Sequence, residues 1–197
     1  MPTVWTSDEI QKILKAVDRG NPTGKRNYAM ILLVARLGLR IGDVKDLKLT
    51  DIDWDKNLIQ IQQSKTGNPL TLPLLTDVGW AIIDYLKDGR PPTESSNVFI
   101  RHNPPFITFS SSTSLHGMLS SIISKAGIPA GERPRTGMHS LRHSLASGLL
   151  QNNVEINTIS EILGHANPES VSHYIRVDRP ALRQCALNVE VSHYAEK

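Results

Sequence analysis

The sequence predicts an α+β fold, mostly α-helical, with a small antiparallel β-sheet (a hairpin) near residues 58–74. Apolar residues recur at helical spacing through most of the chain; Ile10, Ile13, Leu14 and Val17 are one example, and that spacing lines up one helix face. Between the helical stretches, Leu58-Ile59-Gln60-Ile61-Gln62 and Leu70-Thr71-Leu72-Pro73-Leu74 alternate with period two. Lys65-Thr66-Gly67-Asn68 lies between them, and two alternating runs around a glycine turn read as a hairpin.

Each element has a local reason. Thr6 and Glu9 form a capping-box pattern at the start of the first helix. Gly20-Asn21-Pro22 ends it. The next helix, about Lys25 to Leu37, is apolar nearly all round, as a helix at a domain centre is. Gly38 suits its C-terminal cap. A short helix from about Ile41 to Leu47 follows. Pro73 puts the second strand at a sheet edge. A helix from about Asp77 to Lys87 turns Val78, Ala81, Ile82, Tyr85 and Leu86 inward, and Gly89-Arg90-Pro91-Pro92 breaks it. Leu115, Leu119, Ile122, Ile123 and Ala126 mark a further helix, and His139 to about Leu150 another. Ile156, Ile159, Ile162 and Leu163 mark the next, capped by Gly164. Asn167-Pro168 then opens a short helix carrying Tyr174. A last helix runs from about Arg179 to Leu187. Trp54, Trp80 and Tyr85 are assigned to packing.

The 197 residues are 39% hydrophobic, enough for a real core, and no composition break divides residues 1–197 into two domains. Net charge is +3, which alone does not establish a nucleic-acid partner. The single cysteine, Cys185, excludes an internal disulfide and suits a reducing compartment. No apolar run is long enough to span a membrane, and no signal peptide is visible. A cytoplasmic protein is expected.

Six residues carry the candidate chemistry: Arg40, Lys65, His139, Arg142, His165 and Tyr174. All but the tyrosine are cationic or become so on protonation. Cations around one hydroxyl nucleophile suit phosphoryl transfer without a metal, because fixed donors meet the charge on phosphate oxygens. His139 and Arg142, three apart, share a helix face at a helix N-terminus that favours anions. A plain polar helix start explains His139-Ser140-Leu141-Arg142-His143 about as well. His139 and His143 have zinc-helix spacing, but Ser140 stands where a zinc protease motif needs Glu. Arg40 follows a buried helix, and Asp43 is placed to fix its guanidinium. Lys65 lies on a turn, where a lysine is ordinarily a solvated group, yet a mobile hairpin could bring it to a leaving oxygen. His165 at a helix end reads equally as a cap, and Tyr174 as packing.

Order and spacing together are more telling than any one residue. Gly38-Leu39-Arg40-Ile41-Gly42-Asp43-Val44, Lys65-Thr66-Gly67, His139-Ser140-Leu141-Arg142-His143, Leu163-Gly164-His165 and Tyr174 together resemble the catalytic domain of the tyrosine recombinase (phage integrase) family. The likeness runs from about Thr6 to Arg176. Asp43 stands where relatives often carry Glu, and Val171-Ser172-His173 where threonines are common.

The resemblance implies that Tyr174 attacks a phosphodiester of double-stranded DNA, forming a 3′-phosphotyrosyl link and releasing a 5′-hydroxyl. Arg40 and Arg142 would hold the non-bridging oxygens, with His165 as a third donor. Lys65 would be the general acid, His139 the base and Asp43 a supporting residue. No metal or cofactor is implied. The partners implied are duplex DNA and a homo-tetramer assembled on it, in a bacterial or phage-encoded protein. Other readings are a non-catalytic DNA-binding module of the same fold and a type IB topoisomerase. Relatives carry an N-terminal core-binding domain, which is expected to be absent from this chain. Met1-Pro2 leaves almost no leader, which favours a fragment of a longer integrase over a naturally short recombinase of the fimbrial DNA-inversion type. The segment from Arg179 to Lys197 is expected to dock on its own domain or on a neighbouring subunit.

Overall fold

A computed structural model describes residues 4–110, 113–129 and 137–164. Seven α-helices and three short strands follow one another among these residues: α1 (Ser7–Lys15), α2 (Pro22–Leu37), α3 (Ile41–Asp46), β1 (Ile52–Asp53), β2 (Leu58–Gln62), β3 (Pro69–Pro73), α4 (Thr76–Asp88), α5 (His116–Lys125), α6 (Met138–Gln151) and α7 (Ile156–Ile162).

The core is built around α2. Ala29 to Leu37 are buried without interruption, and the helix packs against α4 on one side and α6 on another. With neighbours on more than one side, the helix has to be apolar round most of its girth. Truncating one of its buried side chains, for example Leu33→Ala, would cost about 2–5 kcal/mol in lost transfer energy and cavity formation. Among the described residues three ion pairs tie α2 to α4: Arg36 Nε to Asp77 Oδ2 at 2.8 Å, buried on both sides, and Lys25 Nζ to Asp84 Oδ1 at 2.6 Å and to Asp88 Oδ2 at 3.6 Å.

Most element boundaries follow the sequence pattern. The Thr6–Glu9 capping box is present at α1. Gly38 closes α2 with φ +65° and donates its N–H to Val34 O. The antiparallel sheet has the order β1-β2-β3, so Pro73 does lie on an edge strand, opposite Leu58. Three features differ. α2 begins at Pro22, earlier than expected, because Asn21 caps Gly24 N with its side chain at 2.8 Å and proline fits the first helical position. β1 has only two residues, too few for a period to be legible. Tyr85 is fully buried as expected, but Trp54 and Trp80 are 40% and 38% exposed and lie largely outside the core. The helices expected around Tyr174 and from Arg179 to Leu187 lie outside the described residues.

Candidate active site

Four of the six candidate residues lie in the described part of the chain, on three separate segments. Arg40 is reached through the tight exit from α2. Gly38 turns the chain in the left-handed region, Leu39 is buried, and Arg40 becomes the N-cap residue of α3. Its side chain is half-buried, and Nη1 is enclosed with no hydrogen-bond partner among the described residues.

Lys65 lies on the exposed turn between β2 and β3. The turn is closed by Gln63 N–H to Asn68 O at 2.9 Å and Gly67 N–H to Gln63 O at 2.8 Å. Gly67 has φ +69°, which glycine adopts without penalty.

His139 and Arg142 come from the first turns of α6. The sequence places them on one face, and their environments differ sharply. His139 is exposed along one side, with its ring edge-on to His143 at 4.3 Å between centroids. Arg142 is buried. Its guanidinium donates to Gly38 O and to Leu163 O at 2.6 Å. Arg142 thereby joins the C-cap of α2 to the C-cap of α7, satisfying acceptors that a helix terminus leaves open.

The electrostatics bring these groups together. Partial burial pushes the His139 imidazole below its ordinary value, and the positive charges of His143, Arg142, Lys65 and Arg40 push it the same way. Burial also lowers Arg142, to about 10, with Arg40 acting in the same direction and Asp43 against it. Charge effects decay over a few ångströms to a Debye length. The charges of Arg40, Lys65 and Arg142, carried by three segments, thus all act on the one imidazole of His139. Arg142 remains a cation at neutral pH, while His139 is held neutral and able to accept a proton.

Asp43 does not clamp Arg40 as the sequence suggests. Its Oδ1 accepts the Ser64 backbone N–H and the Ser64 hydroxyl, both at 2.8 Å. No ion pair joins it to Arg40 among the described residues. On the first turn of α3 its carboxylate faces the β2–β3 turn instead, and the N–H and hydroxyl there share the same oxygen.

His165 and Tyr174 lie outside the described residues. Gly164, the residue before His165, follows α7 with φ +64°. Among the described residues no group of three or more His, Cys, Asp or Glu side chains could hold a metal ion, and no helix is long and apolar enough to cross a membrane.

Sequence reasoning missed two sets of supporting residues. Gln63 and Ser64 precede Lys65 and anchor its turn. Gln63 continues the inward row of Ile59 and Ile61, so a polar residue at an inward strand position is the signal that could have found it. Trp5 lies against α6. Its backbone N–H donates to Ser144 Oγ and its indole N–H to Ser140 Oγ, each at 2.7 Å. The Ser140 hydroxyl in turn donates to Gly137 O at 2.6 Å. Ser140 lies between His139 and Arg142 in sequence, so the tryptophan braces the helix start that presents both.

Known proteins are similar to this chain in sequence and in fold. The model of the "Phage integrase family" matches residues 3–180. A provisionally named integrase/recombinase of Sinorhizobium fredii, y4rA, is 38% identical over 95% of the chain and 44% of its own length. A second from the same organism, y4gC, is 35% identical over 96% of both. The chain thus spans less than half of the first relative and nearly all of the second. The crystal structure of XerA recombinase superposes with a TM-score of 0.69 at 26% identity, covering 93% of this chain and 64% of that one. With the family model covering most of the sequence, and a recombinase catalytic fold beneath it, the chain belongs to the phage integrase family of tyrosine recombinases.

Proposed function

We propose that this chain is the catalytic domain of a site-specific DNA recombinase, acting on double-stranded DNA through a covalent phosphotyrosine. The observation that carries the reading is a bonded frame: Arg142 joins Gly38 O, at the exit from α2 that leads to Arg40, to Leu163 O, and Asp43 joins the helix that Arg40 opens to Ser64, the residue before Lys65. A set of cations held in one such frame is arranged for a bound anion, and a phosphodiester fits its charge.

The chemistry divides among these groups. Tyr174 attacks phosphorus, and a 3′-phosphotyrosyl bond forms as the bond to the 5′-oxygen breaks. A phenol has a pKa of about 10, so the neutral His139 imidazole takes its proton as attack proceeds. Arg40 offers Nη1, which has no hydrogen-bond partner among the described residues, to a non-bridging oxygen. Arg142, which donates to two protein carbonyls, brings its positive charge to the phosphate. His165 adds a third donor. Lys65, on an exposed turn, gives a proton to the departing 5′-oxygen. The covalent bond retains the phosphodiester energy, so religation to a second strand needs no nucleotide. Strand exchange by this route joins two duplexes and calls for four copies of the chain on DNA.

A pool of nicked duplexes with randomised sequence around the nick tests this reading. The nick lets the short 5′-product leave and traps the covalent adduct. The full chain should yield detergent-resistant protein–DNA adducts enriched in one sequence. Tyr174→Phe should yield none while keeping its fold. Adducts formed by Tyr174→Phe, or a wild-type chain that forms none, would refute the assignment.

A further inference from the structure

Gln63 has an unusual position. The residue is 1% exposed, yet Nε2 is enclosed without a hydrogen-bond partner among the described residues. An unpaired buried amide costs stability. The inward row of β2 that it continues is otherwise isoleucine, at Ile59 and Ile61, so an aliphatic residue would meet a purely packing requirement at lower cost.

The rest of the residue is fully engaged. Its N–H donates to Asn68 O and its carbonyl accepts from Gly67 N–H. Its Oε1 accepts the Thr66 hydroxyl at 2.8 Å. Gln63 therefore bonds three of the residues that make the Lys65 turn. On its other side the amide lies against Gly164. A Cβ at Gly164 would come within 1.9 Å of Nε2 and 2.6 Å of Cδ. Glycine is thus required there twice over, by φ +64° and by the Gln63 amide in the space beside it. Arg142 holds the preceding residue through Leu163 O, so the corner that Gln63 touches is itself fastened to the site.

We propose that Gln63 is a positioning residue, a joint that locks the Lys65 turn onto the Gly164 corner of α7, so that the lysine and the segment leading into His165 keep one relative placement. The inference rests on the recombinase reading for its chemical consequence, since it assigns Lys65 the proton transfer to the 5′-oxygen. The joint itself is a matter of packing and is tested separately.

Thermal melting of the full chain tests the joint without DNA. Gly164→Ala should lower Tm strongly in the wild-type background, and its effect should be at least halved when Gln63 is already alanine, because the space for the methyl group is then open. Equal Tm shifts in the two backgrounds would overturn the joint. Cleavage of the nicked duplex selected from the pool tests the consequence. Gln63→Leu preserves volume, and Thr66→Val, at an exposed site, removes the Oε1 bond alone. Displacing a catalytic group by about 1 Å costs on the order of 100-fold, so Gln63→Leu should slow cleavage by up to that factor, and Thr66→Val by less. A duplex with sulfur in place of the 5′-bridging oxygen has a leaving group that needs no proton, and both variants should cleave it at the wild-type rate. Wild-type rates on the oxygen substrate, or an equal loss on both substrates, would overturn the positioning role. A wild-type chain that cleaves neither would instead refute the recombinase reading, and the melting comparison would then decide the joint by itself.

Discussion

Asp43 and Ser64 are joined twice: the serine's backbone N–H and its hydroxyl both donate to Asp43 Oδ1 at 2.8 Å. The bond links the first turn of α3, which Arg40 opens, to the residue before Lys65. Two candidate catalytic cations thereby take their placement from one buried carboxylate. A hydrogen bond to a charged acceptor contributes about 1.5–3 kcal/mol. Asp43→Ala should therefore destabilise the chain by about 2 kcal/mol in urea unfolding. Asp43→Asn, which keeps an accepting oxygen, should cost less than half of that. Equal costs would mean that charge, not the bond, sets the effect.

Arg142 has a structural duty besides any catalytic one. Its guanidinium bridges Gly38 O and Leu163 O from a buried position. Arg142→Lys keeps the charge but not the fork, so both carbonyls cannot be reached at once. A loss of about 3 kcal/mol in folding stability is expected, read as a lowered denaturant midpoint. An unchanged midpoint would show that the bridge carries no weight.

His139 should report its cationic neighbours by NMR titration. Its imidazole lies below the ordinary histidine value because burial and positive charge both penalise the protonated form. Arg40→Gln removes one such charge, so the His139 value should rise toward that of a free histidine. The sign for stability follows. The folded state binds this proton less readily than the unfolded chain, so stability is full above pH ~6.5 and falls as pH drops through the lower folded value. Adding inorganic phosphate, which screens the same cations, should raise the value as well.

Gly38→Ala should destabilise by about 2 kcal/mol, because a left-handed backbone costs an L-residue roughly 1–2 kcal/mol and crowding adds to it. The backbone there stands at φ +65°, and the new Cβ would meet Leu163 Cδ2 at 2.7 Å and Leu145 Cδ2 at 3.0 Å. Leu145→Ala in the same chain should relieve part of the crowding but none of the backbone strain. Differential scanning calorimetry of the two single variants and the double variant separates these parts.

Much of this architecture is legible in the sequence because it is local. The Thr6 box, the Gly38 cap and the period-two strands depend on residues a few positions apart, and they stand where the pattern puts them. Arg40, Lys65, His139 and Arg142 are legible as a set through their order along the chain. What each of them touches is not legible, because the partners are remote. Asp43 looks like a mate for Arg40 from three residues away and instead bonds Ser64, a contact 21 positions distant. The carbonyl acceptors of Arg142 are backbone atoms, which leave no mark on residue type. Trp5 reads as an ordinary lead-in to α1, and only the folded chain brings it to Ser140 and Ser144.

That last contact has a consequence for how the molecule is made. The hydrogen bond from Trp5 to Ser144 closes a loop of 139 positions, among the costliest kinds of closure in chain entropy. Synthesis delivers the tryptophan long before the two serines. Until they arrive its indole has no seat, and the helix start with His139 and Arg142 has no brace. Assembly of the reactive face should thus wait until Ser144 has left the ribosome.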